Sequence, residues 1–276
     1  MLRKNDTRVF ATCVLCLVLF YLGGCASSEP PKLNPGTAKQ FLKLRGYNYD
    51  EPSFLAAAKA NDAAAVNAFL AAGINPNAKD PSMLASPLIS AAAHGDVEIV
   101  RTLLNGGADI NAKDRGGYTA MLRALESDQD EVAELLLTQP SLDVNVQGLN
   151  GVTVLMRYAA RDRDERVGKI LDRGANVNLQ DSDGDTALHR AAQRDNVTIL
   201  RILLAAGANP NLKNKVGGAP LMWAAVFGRG DAARTLLERG ADASLKDNKG
   251  MTAAAWAIEN KRDEVVELLR AAEKKR

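Results

Sequence analysis

Few side chains in this sequence are equipped for bond-making chemistry. Histidine stands only at 94 and 189, and cysteine only at 13, 16 and 25. A zinc set or a Cys–His nucleophile pair therefore has almost nothing to draw on. Neither familiar spacing of a glycine-rich phosphate loop is present. His189 has no visible acid or base partner, which argues for a structural role over proton transfer. The run Asp181, Ser182, Asp183, Gly184, Asp185 offers oxygens to calcium, but an EF-hand loop needs glycine at its sixth place and glutamate at its twelfth. Here glycine is fourth and Ala192 is twelfth, so the run reads as a turn.

What remains is a set suited to binding. Ser90, Arg123, Arg157, Arg190, Trp223 and Trp256 recur at a near-constant interval, and four residues after each come His94, Ser127, Arg161, Arg194, Phe227 and Asn260. A four-residue step keeps both members on one helix face. Arginine forks onto carboxylates and tryptophan buries a large area, so both are favoured anchors at protein interfaces. The sequence thus points to recognition without catalysis, and it implies no cofactor and no metal.

Composition bounds the scaffold that must carry these residues. Apolar residues make up 46% of the 276, enough for a sizeable core, while aromatics are only 5%. Abundant alanine with few aromatics suits close-packed short helices better than a sheet sandwich. The formal charge of +2 comes from Arg3, Lys4 and Arg8 outweighing Asp6 near the start; beyond them acids and bases balance. Such a surface exerts no general pull on nucleic acid.

Those three cations precede an apolar run, Val9 to Leu22, of 14 residues. That is too short to cross a bilayer comfortably and has the layout of a signal peptide. The run closes on Leu22, Gly23, Gly24 and Cys25, and there it resembles a bacterial lipoprotein signal. The resemblance implies cleavage after Gly24 and lipid on Cys25, three acyl chains anchoring where one is marginal. An ordinary cleaved signal and an uncleaved anchor are the alternatives. Cys13 and Cys16 would leave with the signal, so no internal disulfide forms in the mature chain. The Ser-, Pro- and Gly-rich stretch behind Cys25 reads as a tether. Ala26, where the sorting rule of such lipoproteins reads aspartate as inner-membrane retention, implies the periplasmic face of the outer membrane.

The rest of the chain repeats. Phe69-Leu70, Leu103-Leu104, Leu136-Leu137, Ile170-Leu171, Leu203-Leu204 and Leu236-Leu237 recur every 33 or 34 positions, and Asn77, Asn111, Asn145, Asn178 and Asn211 follow them, with Ser244 in the sixth place. Each unit writes two helices. Thr186 is a helix N-cap, with counterparts at Ser86, Thr119, Thr153, Ala219 and Thr252, and Pro87 and Pro220 occupy the first helical position. Val197, Leu200, Leu203 and Leu204 form the apolar stripe of a second helix, and Gly73, Gly107, Gly174, Gly207 and Gly240 supply the left-handed stop. One such pair cannot bury its own apolar face, so the units must stack. In the third unit Thr138 to Leu142 replaces the glycine turn and Gly148 replaces the hairpin aspartate, so a bulge is expected there.

At TALHRAA (Thr186 to Ala192), SPLISAA (Ser86 to Ala92) and APLMWAA (Ala219 to Ala225) the chain resembles the ankyrin-repeat family. The resemblance implies an all-α solenoid over residues 50–276, in units of about 50–83, 84–116, 117–150, 151–183, 184–216, 217–249 and 250–276. A signal peptide (1–24), a tether (25–36) and a capping helix (37–49) precede it. It also implies that His189 bridges neighbouring units, and that a partner protein is gripped by the concave first-helix face and hairpin tips. Arg123, Arg157, Arg161, Arg190 and Arg194 would form one half of that groove, Trp223, Phe227 and Trp256 the other, with Arg115 and Lys215 at the tips. The occupant would be an acidic, then apolar, segment. The competing view pairs the arginines with Asp162, Asp164, Glu165 or Asp195 and packs the tryptophans between units. In function the reading is a membrane-anchored scaffold or inhibitor of an envelope protein. A passive envelope spacer and an envelope hydrolase are its rivals.

Overall fold

The computed structural model describes residues 33–273, and among these every regular element is a helix. Cys25 lies outside the described residues. The chain divides after Leu142 into two compact units.

In the first unit the inner row of helices is Glu51–Lys59, Pro87–His94 and Ala120–Glu126, and the outer row is Ala63–Ala71, Val97–Asn105 and Asp130–Leu137. A lead-in helix, Pro35–Leu44, packs on Ala63–Ala71 and is capped by Asn34, so it starts within the stretch read as tether. Its neighbourhood holds an aromatic cluster in which Phe54 and Tyr47 meet the ring of Phe69 at 5.4 and 5.9 Å. The first inner helix is capped by Asp50, which accepts the Ser53 N–H at 2.8 Å. The longer tip before the second repeat closes through Asp80 N–H to Ala85 O at 3.0 Å, with Leu84 in the left-handed region. Lys59 pairs with Asp80 at 2.8 Å, and that contact together with the Ser82 hydroxyl holds the Asp80 carboxyl well below the ordinary carboxylate range. At the third repeat the outer helix stops on Thr138, whose hydroxyl donates to Leu135 O at 2.6 Å in place of a left-handed glycine.

The second unit stacks Val154–Ala159, Ala187–Arg194, Pro220–Phe227 and Ala253–Glu259 as the inner row. The outer row is Asp164–Asp172, Val197–Ala205, Gly230–Glu238 and Asp263–Glu273. Thr153, Thr186 and Thr252 each accept the N–H three residues on, the capping geometry their sequence predicts, while Ala219 has no side chain to do so. In the Val197–Ala205 helix the buried stripe is Ile199, Leu200 and Leu203, all fully buried, with Val197 and Leu204 only half-buried. The apolar pattern alone did not separate Ile199 from Val197, because both fit a spacing of three and four. Gly174, Gly207 and Gly240 end the outer helices at φ of 81°, 87° and 92°. The expected bulge at Gly148 is a short 3₁₀ turn, Leu149–Gly151. The hairpin still closes normally, Gly148 N–H to Val152 O at 2.9 Å.

The recurring asparagines fasten one repeat to the next. In the second unit Asn145, Asn178 and Asn211 accept the N–H of Asn176, Asn209 and Asp242 at 2.7 to 2.9 Å. Their amide groups donate to the carbonyls of Gly174, Gly207 and Gly240 at 3.0 to 3.2 Å. One carboxamide thus satisfies two groups of the following turn, which a carboxylate, having no donor, could not do. Ser244 turns back on Asp242 at 2.7 Å, and the series ends there.

Candidate functional site

The hairpins place their acids nine residues before the inner-helix positions that the sequence singled out. In the first unit Asp114, buried, receives Arg123 Nε at 2.9 Å, and the guanidinium lies 3.9 Å from the Tyr118 ring centroid. In the second unit Asp181 receives Arg190 at 2.6 Å, with Asp185 3.5 Å from the same nitrogen. Asp247 accepts the Trp256 indole N–H at 2.9 Å. Asn214 replaces the acid in the repeat between, and Trp223 reaches back to Asp185 at 3.3 Å. Arg157 lies half-buried on its helix, and its counterpart hairpin position is Gly148.

Arg123 and Arg190 are therefore ion-paired within the chain, but to hairpin acids and not to Asp162, Asp164, Glu165 or Asp195. Asp162 accepts Asn196 at 2.6 Å, and Asp195 accepts the Ala232 N–H at 2.8 Å. Hairpin chemistry explains the choice. Asp181 Oδ1 accepts the N–H groups of Asp183 and Asp185, both at 2.9 Å, which leaves Oδ2 aimed at the inner helix. Asp181 and Asp185 are thus engaged in turn formation, an arginine and an indole, while Asp183 is exposed.

Of the other expected contact residues, Arg161 is half-buried just after its helix and Arg194 is exposed at the end of the next. Phe227 stacks on Trp223 with centroids 6.1 Å apart. Arg115 and Lys215 are exposed hairpin residues whose N–H groups bond to Met83 O at 2.7 Å and Asp183 O at 2.9 Å. The structure brings Trp223, Trp256 and Lys215 together around one cavity of about 410 Å³, which Val216, Met222, Val226, Asp247 and Lys249 also line. Val216 and Lys249 are exposed hairpin-tip residues, and Met222 and Val226 give no signal in the sequence beyond a helical apolar pattern. Burial would raise the Asp247 carboxyl, but hydrogen bonds from the Met251 N–H, the Trp256 indole and the Lys249 N–H outweigh it and hold the group below its usual value.

His189 is fully buried and joins two repeats. Its Nδ1 accepts the Thr186 N–H at 3.1 Å, and Nε2 lies 3.1 Å from Gly218 O, so the neutral ring carries its proton on Nε2. Burial holds its pKa below the ordinary histidine value, against the pull of Asp185. His94, by contrast, is exposed, with Nδ1 2.7 Å from Ser90 O.

A family model for ankyrin repeats, in three copies, matches residues 54–148, 140–214 and 206–276. The chain belongs to the ankyrin-repeat family. Among solved structures it is similar to an ankyrin repeat domain from Acinetobacter baumannii, at 29% identity and a TM-score of 0.61, over 68% of this chain and 97% of that one. No curated protein matches it. Ankyrin-repeat membership supports a protein-binding module, since such stacks present extended surfaces and pre-ordered side chains.

Proposed function

We propose that this ankyrin-repeat protein is a lipid-anchored binding module of the bacterial envelope that scaffolds or inhibits a partner protein and performs no chemistry of its own. The observation that carries the reading is the tryptophan-walled cavity on the inner-helix and hairpin side of the second unit. Rigid presentation is the mechanism: indoles already held by Asp185 and Asp247 lose little freedom when a partner docks. The anchor rests on the sequence Leu22, Gly23, Gly24, Cys25 behind a short apolar run and three cations. By the residue at Ala26, the anchored face is the periplasmic side of the outer membrane.

Two measurements test the two halves of this reading. Labelled palmitate is expected to enter the wild-type chain and not Cys25→Ser; label in both would remove the anchor. Affinity capture from envelope extract with the chain from Ala26 onward is expected to retain a protein that is lost when Arg157, Arg190 and Trp223 are changed to alanine in a variant that still folds. A partner retained by both would move contact away from the inner helices, and no partner at all would favour a passive spacer.

A further inference from the structure

The cavity of about 410 Å³ lies at the lower end of the range for ligand pockets, roughly 300–1,000 Å³, so it suits one or two side chains. Its walls offer apolar surface and little else. Both indole N–H groups are already donated, Trp223 to Asp185 at 3.3 Å and Trp256 to Asp247 at 2.9 Å, so the rings present faces and C–H edges to the space between them. Val216 at its mouth is 61% exposed. An apolar group that enters displaces water from surfaces with nothing to hydrogen-bond to it.

The charge at the rim has one sign to spare. Asp185 is buried and holds Asn214 Nδ2 at 2.8 Å as well as the indole. Asp247 accepts the N–H groups of Lys249 and Met251 at 2.9 and 2.8 Å, besides Trp256. Two exposed lysines, Lys215 and Lys249, also line the cavity and carry ammonium groups. Among the described residues that of Lys215 makes no ion pair or hydrogen bond, and that of Lys249 rests 5.3 Å from the Trp256 ring centroid. A cationic guest would meet these two ammonium groups, whereas a carboxylate would meet two donors without having to break an ion pair.

We propose that this pocket anchors a partner segment in which a bulky apolar side chain stands beside an aspartate or glutamate, the apolar group between Trp223 and Trp256 and the carboxylate against Lys215 and Lys249. The inference rests on the protein-binding reading above and supplies the chemistry of the partner. It also shifts the acidic contact from the inner-helix arginines to the hairpin lysines, since Arg190 is already ion-paired.

The protein carries its own reporter, because Trp223 and Trp256 are its two tryptophans. The full chain in mild detergent is titrated with two capped peptides free of tryptophan, one carrying Leu-Phe between aspartates and one carrying it between lysines, while indole emission is followed. The aspartate peptide is expected to change the emission saturably and to bind at least about tenfold more tightly than the lysine peptide. Val216→Asp, at a largely exposed site on the pocket's mouth, is expected to abolish the response. The pair Lys215→Glu and Lys249→Glu is expected to reverse the preference between peptides.

Equal binding of both peptides, or silence with both while helical circular dichroism is intact, overturns the proposal. Phenylalanine amide binding as tightly as the aspartate peptide also overturns it, since the site would then hold a small molecule. Failure here is separable from failure of the broader reading. A captured envelope partner insensitive to Val216→Asp, with silent titrations, removes this pocket and leaves the module. Peptide binding with no captured partner keeps the pocket and removes the envelope partner.

Discussion

His189→Ala is expected to destabilise the second unit by about 2–4 kcal/mol and to flatten its dependence on pH. The substitution empties a fully buried ring site and leaves the Thr186 N–H and the Gly218 carbonyl without their partner. Each orphaned group costs about 1–3 kcal/mol, part of which any water that enters returns. The pH effect follows from the geometry at Nδ1. That atom accepts a backbone N–H, so a proton added there would point donor at donor, and burial disfavours the cation as well. The folded-state pKa is thereby lowered below the ordinary value of 6.5, so the folded chain binds fewer protons than the unfolded one wherever the two differ. The stabilisation is complete above about pH 6.5 and is lost as pH falls through the folded-state value. The charges of Asp185 and Asp181 narrow the window, and that of Arg190 widens it. Urea unfolding at several pH values from about 7 to about 5 should show a falling wild-type stability and a flatter, lower line for the variant. Parallel lines would mean that His189 does not titrate in this window.

Gly217→Ala is expected to cost about 2–4 kcal/mol, while Gly207→Ala costs only about 1–2 kcal/mol, although both glycines share a left-handed backbone. Their φ angles are 78° and 87°. The difference is space. A Cβ at Gly207 meets nothing within 4 Å, whereas one at Gly217 would stand 2.7 Å from the Asn248 backbone nitrogen and 2.5 Å from its side-chain oxygen. The side chain can turn away, but the backbone is held by the hydrogen bond from Asn248 N–H to Val216 O at 3.0 Å. Alanine must therefore push two hairpin tips apart as well as bear the strained φ. Because Val216 and Lys249 line the tryptophan pocket, Gly217→Ala should also weaken any ligand held there, whereas Gly207→Ala should not. Equal stabilities for the two variants would mean that tip contact contributes nothing.

The glycine pair illustrates what one-dimensional pattern conveys. Gly207 was legible because it follows a helical apolar stripe, where a left-handed stop is the ordinary reason for glycine. Gly217 sits in a hairpin where, beyond the left-handed φ, a neighbouring tip some thirty residues on, at Asn248, leaves no room for a side chain. The helices, their threonine caps and the need to stack came from sequence alone, because caps and amphipathic stripes are local, set by residues three and four apart. The recurrence of asparagine was visible too, but not its use, since each carboxamide bridges to a turn about 30 residues away.

The candidate site divides in the same way. Sequence by itself determined that arginine and tryptophan occupy equivalent places on successive inner helices, because a repeat fixes register. Tertiary structure decided which of them are available. The hairpin folds each acid back onto a position nine residues later, so Arg123 and Arg190 are neutralised by Asp114 and Asp181, while Asn214 leaves Trp223 to reach across to Asp185. Pairing of charges and closure of a pocket depend on distances through space between loop and helix, and residue order sets those distances only after the chain has folded.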